Sequence, residues 1–434
     1  MTWTRPFHRW IAPAVVGNLV TLLLLCGHAG AQLLSSYFPE GVPGYAAAPG
    51  VTVLSRAHPE FDPLGIRSGP FMLWPKLETS VGYDSNVLAS GHPRGSWTLR
   101  TQPSLLLASG WSRGAFGAFV SLADTRYTGL PAQDRTDGTV SVGGSVDIGR
   151  DRLTLAAAHI TQHQDRSGLD AVAADRPVPL TIEDVRGSYA MPFGRWTVTP
   201  NWETSDWRFG EATIGGLPAS QAFRNRLVLQ GGVTARYEWA PSRNLLFVAR
   251  LLNQHYPRTL PGQPTEDSTG YQVLFGFDYD DDTVWRYRVL LGGEARQFAA
   301  FRSHNSFIVE AEASWTPSAM TTVSATLSRT IEDAAQEGVA GFTYTSARLR
   351  VDHEYLRNVI LSAAIGLQRA EFLQGGGTQF GTVASLGATW LANRNVHVSA
   401  TFDMSGVSGA RTQPGGSSGD YQRRLALLTV RLGL

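Results

Sequence analysis

The 434-residue chain has one cysteine, Cys26, and one lysine, Lys76. A single thiol excludes an intramolecular disulfide framework. Charge is scarce, with 17% of residues ionisable against the ~25% usual for a soluble domain. Neither sign is in excess: 37 basic residues face 36 acidic ones, for a net +1. That balance excludes a general nucleic-acid binder, so no nucleic-acid partner is expected. Beyond the first thirty residues no apolar run approaches ~18 residues, so no helix there could cross a bilayer. What is abundant is apolar surface. Hydrophobic residues make up 43% and aromatics 10%, too much for a disordered chain. Glycine is also plentiful, with 46 residues, and no shift in composition divides the chain.

The first segment reads as a secretory signal over residues 1–31. Arg5, His8 and Arg9 precede an apolar run from Trp10 to Cys26, and Ala29-Gly30-Ala31 offers a cleavage site before Gln32. A membrane anchor is the rival reading, but the run is marginal in length and the small-residue site argues against it. A lipoprotein signal ending at Cys26 is a third, but Leu25 stands where such signals want a small residue. Cleavage leaves a mature chain without cysteine.

Period-two alternation then recurs almost to the last residue. In Phe223 to Trp239, one face carries Phe223, Leu227, Leu229, Val233, Ala235, Tyr237 and Trp239. The other carries Arg224, Arg226, Gln230, Thr234, Arg236 and Glu238. Trp285, Tyr287, Val289, Leu291 and Ala295 oppose Arg286, Arg288, Glu294 and Arg296. Phe307, Val309, Ala311, Ala313 and Trp315 oppose Glu310 and Glu312. Ala347, Leu349 and Val351 oppose Arg348, Arg350, Asp352 and Glu354. Strict alternation over eight or more residues is a strand signal. The runs predict strands of about 12–16 residues, where globular strands average ~5–6. A membrane-spanning barrel strand needs ~9–11 residues for its apolar band and can run beyond it.

The connections alternate too. Short ones include Trp111 to Gly114, Gly149 to Asp151, Phe193 to Arg195, Ala240 to Arg243, Asp280 to Asp282, Thr316 to Ser318, Leu356 to Asn358 and Ala392 to Asn395. Longer Gly- and Pro-rich stretches lie between them, such as Arg166 to Pro179, Gly210 to Ala222, Pro257 to Asp267, Asp333 to Gly341 and Gly406 to Gly419. Eight short turns and nine loops make seventeen connections and hence roughly eighteen strands. Trp111, Trp196, Trp239, Trp285, Trp315 and Trp390 each lie beside a short turn, which predicts an aromatic girdle at that rim. The pattern therefore specifies an all-β fold. It is a transmembrane, antiparallel, up-and-down barrel of the Gram-negative outer membrane, with short periplasmic turns and long extracellular loops. Residues 73–434 form the barrel and 32–72 an irregular periplasmic leader or plug. The expected partners are outer-membrane lipid and the barrel insertion machinery.

The stretch Leu54 to Val87 carries Arg56 to Asp62, then Gly65-Ile66-Arg67, then Gly82-Tyr83-Asp84-Ser85-Asn86-Val87. It resembles the leading segment of the β-barrel porin 2 family. The resemblance implies an outer-membrane barrel, and some members look associated with exopolysaccharide production. Many outer-membrane barrels end in Phe, whereas this chain ends Val430-Arg431-Leu432-Gly433-Leu434, with the apolar alternation kept.

Catalytic signatures are not found. His159 and His163 fall on a predicted strand, about 13 Å apart at ~3.3 Å per residue, too far for one ion. Asp280-Asp281-Asp282 reads as a solvated turn. Gly375-Gly376-Gly377 and Gly415-Gly416 lack the Lys-Ser/Thr of a phosphate loop. No catalytic, cofactor or metal residues are assigned, and an enzyme is not expected. If the apolar faces meet lipid, the opposite faces line the lumen. Arg224, Arg226, Arg236, Glu238, Arg286, Arg288, Glu294, Arg296, Glu310, Glu312, Arg348, Arg350, Asp352 and Glu354 are then pore-lining, or paired across the wall. A polar, mixed-sign interior fits a hydrated channel for small polar solutes. An exit pore for polysaccharide is the alternative, with Trp207 a candidate for stacking sugar rings. A closed structural or enzymatic barrel is the third reading.

Overall fold

The computed structural model describes residues 42–45, 52–164, 166–260, 262–280, 284–336, 338–373, 377–409 and 420–434. The predicted signal sequence, the tip of the Asp280–Asp282 turn and Gly415-Gly416 lie outside these residues. Eighteen strands, each of 12–16 residues, follow one another as antiparallel neighbours. They are β1 (Phe71–Asp84), β2 (Ser96–Ser109), β3 (Ala115–Tyr127), β4 (Arg135–Ile148), β5 (Asp151–Gln164), β6 (Val178–Phe193), β7 (Trp196–Phe209), β8 (Arg226–Ala240) and β9 (Arg243–His255). The circuit continues with β10 (Ser268–Asp280), β11 (Trp285–Phe298), β12 (His304–Ser318), β13 (Thr321–Glu332), β14 (Phe342–Leu356), β15 (Val359–Phe372), β16 (Thr378–Leu391), β17 (Val396–Ser408) and β18 (Tyr421–Gly433).

The sheet closes on itself. β1 pairs with β18 from Lys76↔Gly433 to Asp84↔Leu425, so no edge is left to expose backbone polar groups. A three-residue strand, Ile66–Ser68, folds back on the start of β1, and a small hairpin, Glu211–Ile214 with Leu217–Ser220, stands in the β7–β8 loop. Eight connections of two to five residues gather at one end, and nine of five to sixteen at the other. Eighteen strands about 4.8 Å apart and tilted roughly 40° give a diameter of roughly 35 Å. So wide an interior cannot be filled by the wall's own side chains.

The two faces of each strand separate as the alternation requires. Leu227, Leu229 and Val233 of β8 point outward and are exposed, with Leu245, Phe247 and Leu251 of β9 and Val273, Phe275 and Phe277 of β10 beside them. They form a continuous apolar outer belt. Trp111, Trp196, Trp239, Trp285, Trp315 and Trp390 are all exposed on that belt at the short-turn rim. Trp285 and Trp315 sit directly opposite each other across β11 and β12 and stack at 5.3 Å. Trp196 packs on Tyr237 at 4.8 Å.

Candidate functional site

The inner face divides into a filled half and a hollow half. In the filled half, Val42 to Tyr45 lie mid-barrel against β4, β5 and β6. Gly143 of β4 makes room, since a Cβ there would lie 1.9 Å from the Pro43 carbonyl oxygen. Gly44 adopts φ +91°, and a Cβ there would lie 2.8 Å from the Ala156 Cβ, so neither its backbone nor its surroundings admit a side chain. The Tyr45 ring lies under the Arg186 guanidinium at 4.6 Å, and its hydroxyl donates to the Asp184 carbonyl. Val42 and Tyr45 complete an apolar cluster with Leu106, Phe119, Ala156, Ala158, Ile160, Leu180, Ile182, Trp207 and Phe209, all on the inner face.

Residues 52–62 then run across the short-turn mouth. The Val53 N–H donates to Thr322 Oγ1 at 2.9 Å, and Arg56 donates to the Ala319 carbonyl at 2.5 Å and pairs with Glu354. His58 Nε2 lies 3.4 Å from the same carboxylate. Arg394 donates to the Pro59 carbonyl and His397 to that of Phe61. Val53, Leu54 and Phe61 pack on Ile360 and Leu391. Burial pushes His58 below its ordinary pKa, against the opposing pull of Asp62.

At the opposite end the long loops fold inward. The β5–β6 loop crosses the barrel. Its Asp170 N–H donates to Gln379 on β16, its Ser167 carbonyl accepts from Tyr421 on β18, and its Asp170 carboxylate accepts the Ala335 N–H of the β13–β14 loop. Asp333 of that second loop pairs with Arg226 of β8 at 3.0 Å and Arg296 of β11 at 2.5 Å, and accepts from Gln254 of β9 at 2.9 Å. Burial alone would raise Asp333. The two guanidiniums more than offset it and hold the carboxyl below its ordinary value. Asp170 faces a single cation, Arg224, whose pull does not offset its burial, and it is pushed to about 7. Glu266, in the β9–β10 loop, is pushed to about 8 by burial and by the nearby Asp333 carboxylate.

The hollow half is a cavity of about 780 Å³ under the β13–β14 loop, between the inner faces of β7–β9 and those of β12–β15. Asn201, Glu203, Ser205, Gln230, Thr234 and Arg250 line one side. Glu310, Glu312, Thr326, Ser328, Ser346, Arg348 and Gln368 line the other. Arg250 grips Glu310 with both terminal nitrogens, the second contact being 3.1 Å. Their strands, β9 and β12, are not neighbours. The pair therefore spans β10 and β11, where Leu274 and Leu290 form a fully buried inner patch with Leu246, Val248 and Ile308. Arg288 lies 3.8 Å from both Asp278 and Glu312, and Arg236 3.6 Å from Asp278.

The predicted pore-lining residues on strands all face inward, but only some meet open space. Arg236, Glu238, Arg288, Glu310 and Glu312 stay partly or well exposed, and Arg286, Arg348 and Arg350 are half-buried. Arg226, Glu294, Arg296, Asp352 and Glu354 are buried instead. The β13–β14 loop holds Arg226 and Arg296, Gln272 donates to Glu294, Arg350 and Ser362 hold Asp352, and the leader covers Glu354. Arg224 corrects the strand reading outright. It lies with Phe223 in a single 3₁₀ turn, Ala222–Arg224, ahead of β8, and is buried over the Phe209 ring at 3.9 Å. Strict alternation fails there because both residues pack inward. Burial lowers the Arg224 pKa to about 10. Trp207 faces the lumen as expected but is 2% exposed and lies under Arg226, leaving no ring face for a sugar. His159 bonds Glu183 at 2.7 Å and His163 bonds Asp137 at 3.0 Å; among the described residues no cluster suits a metal ion. Sequence reasoning missed Asp170, Glu266 and Asp333. Their loops show no periodicity that would mark them as inward-folding.

A search of curated proteins found no match. Among solved structures the chain is similar to OccAB3 of Acinetobacter baumannii, at 8% identity and TM-score 0.46, covering 85% of this chain and 100% of that one. It is similar to OccK9 of Pseudomonas aeruginosa at 11% identity and TM-score 0.46, covering 84% and 98%. A BenF-like porin from Pseudomonas fluorescens matches at 10% identity and TM-score 0.43, covering 83% and 99%. A family model described as "Putative beta-barrel porin 2" matches residues 58–433, and the chain belongs to that family of outer-membrane barrels.

Proposed function

We propose that the protein is a porin of the Gram-negative outer membrane, passing small polar solutes through the hollow half of its lumen. The short turns face the periplasm in this reading, and residues 1–31 are removed on export. The observation that carries it is the 780 Å³ cavity, lined on its inner faces by amides, hydroxyls and charges of both signs. Such a lining hydrates a path without favouring one bulk ion outright. Polysaccharide export fits less well, because the one lumen tryptophan offered for stacking is sealed under Arg226. The loops and the leader narrow the route, so passage is that of a restricted pore and not a wide-open cylinder.

The test is planar-bilayer recording on the purified barrel, whose folded form is expected to shift its gel migration on heating. Discrete, stable conductance steps are expected. A folded barrel that inserts and never conducts would refute the porin reading. Recovery of the native protein as a soluble periplasmic species would refute the location as well.

A further inference from the structure

We propose that the outer face of β14–β17 seats a doubly phosphorylated, multiply acylated glycolipid of the outer leaflet. One acyl chain lies in a groove of the apolar belt, and the phosphates rest on arginines above it. The inference rests on the long-loop end facing outward and not on conduction. The groove has a volume of about 360 Å³ and is lined almost wholly by apolar side chains. The register explains it. Ala363 stands between Val351 and Leu386, and Ala384 between Ile365 and Met404, so a methyl group lies where the neighbouring strands carry long side chains. Leu349, opposite Ile365, and Phe402, opposite Leu386, form the two walls. A gap among apolar side chains forfeits contacts unless something apolar fills it, and within a bilayer that is an acyl chain.

Charge sits at one end of the groove. Arg369 lies four residues beyond Ile365 on the outer face of β15, about 13 Å toward the long loops at ~3.3 Å per residue. Its side chain is 47% exposed, covers the Phe380 ring at 5.7 Å and pairs with one oxygen of Glu371 at 2.6 Å. Arg329 of β13 takes the other oxygen at 3.2 Å. Two guanidiniums on one carboxylate leave a positive charge over. Arg424 adds another. It is exposed on the outer face of β18 near the long-loop end, directly opposite Met404 of the groove, and forms no ion pair among the described residues. The outer faces of β3–β7 differ. Near the same rim, histidines apart, they carry Arg126 and Arg208 against Asp124, Glu183 and Asp206, so carboxylates prevail. On β13–β18 three arginines face one carboxylate. Arginine on a lipid-facing strand is tolerated near headgroup depth, and a guanidinium binds phosphate through two parallel hydrogen bonds. Cations on both sides of the groove, at Arg369 and Arg424, fit a head that carries two phosphates.

The probe is diphosphoryl lipid A, with phosphatidylglycerol and phosphatidylethanolamine as anionic and zwitterionic comparators that carry one phosphate. Native mass spectrometry of the detergent-solubilised wild-type barrel counts bound lipid directly. Lipid A is expected to be retained at least fivefold more than either comparator at equal concentration. Arg369→Gln combined with Arg424→Gln should remove most of that excess, whereas Arg126→Gln combined with Arg208→Gln should leave it. Ala384→Trp fills the groove without touching an arginine and should lower lipid A retention as well. Equal retention of phosphatidylglycerol and lipid A by the wild type overturns the proposal without any variant. So does undiminished lipid A on a folded barrel of either the Arg369, Arg424 double variant or Ala384→Trp. A dimer that Ala384→Trp abolishes would give the groove to a second copy and overturn it too. A barrel that never conducts but keeps its lipid A would strike the porin reading and leave this site standing.

Discussion

Strands β4–β6 and strands β12–β15 are built on the same pleat, yet one set is covered by chain and the other faces a cavity. The difference lies in what the inner face carries. On β4 to β6 it holds Ser141, Gly143, Ala156, Ala158, Ile160 and Ile182, mostly small or apolar residues against which Val42 and Tyr45 pack, with the Asp184–Arg186 pair meeting Tyr45. On β12 to β15 it holds Glu310, Glu312, Thr326, Ser328, Ser346, Arg348 and Gln368. In a barrel too wide to fill itself, inner apolar residues mark where another part of the chain must lie, and inner polar residues mark where water can remain. The exception sharpens the rule. Leu274 and Ile308 face inward among polar strands, and they too are fully buried.

The comparison stands on the inside–outside assignment, so the most severe test is a charge on the wrong face. Leu291→Arg places a guanidinium on the outer belt near mid-strand, at a cost of ~2–4 kcal/mol. Loss of the heat-modifiable folded form is expected. If the variant assembles normally, the two faces have been exchanged and the filled and hollow halves lose their meaning.

Gly143→Val comes next. The new side chain collides with Pro43 while leaving a strand-compatible backbone, so it should expel the leader from the filled half. Conductance should rise about twofold or more as that half empties. An unchanged conductance would mean that Val42 to Tyr45 do not obstruct the lumen in a membrane.

A smaller effect is expected from pH. Burial raises Asp170 from 3.8 to about 7, so the packed β5–β6 loop prefers the protonated acid. Its contribution is full below the ordinary carboxyl value and is lost as pH climbs toward 7. The groups facing it are the Ala335 N–H, Gln336 and Arg224. Glu266, raised to about 8 and facing Asp333, Arg226 and Arg224, acts in the same direction. Conductance at pH 8 should therefore exceed that at pH 5, and Asp170→Asn should flatten the change. A steeper pH dependence in the Asn variant would assign the switch elsewhere.

The smallest effect concerns the mixed charges beside the cavity. Replacing Arg286 and Arg288 with Glu should move reversal potentials toward cation preference with the folded yield nearly unchanged. Unaltered reversal potentials would take these two arginines off the conduction path.

Much of the architecture was legible because alternation is local. The strand pattern, the turn asymmetry and the six rim tryptophans each follow from a few consecutive residues. The interior was less legible, and the reason is specific. Leu155 to Ala158 carry Leu155 and Ala157 on one face and Ala156 and Ala158 on the other, a segment apolar on both sides. That loss of contrast was the available sign that something other than water lies against β5. The union of Asp333 with Arg226 and Arg296 had no such sign, since it joins a loop to two strands far away in sequence.

The pairing of β1 with β18 has a kinetic consequence. Every other neighbour in the wall is also a neighbour in sequence and can zip as a hairpin, but the seam from Lys76↔Gly433 to Asp84↔Leu425 joins the two ends of the sheet. The ring cannot shut until the final strand has been delivered. Until then the chain is an open ribbon with two unsatisfied edges and an outward apolar belt, the state most prone to stick to other chains. Seam closure is the last strand pairing the ring can make, so substitutions along Lys76 to Asp84 or Leu425 to Gly433 should lower the yield of folded barrel more than they lower the stability of barrels already formed.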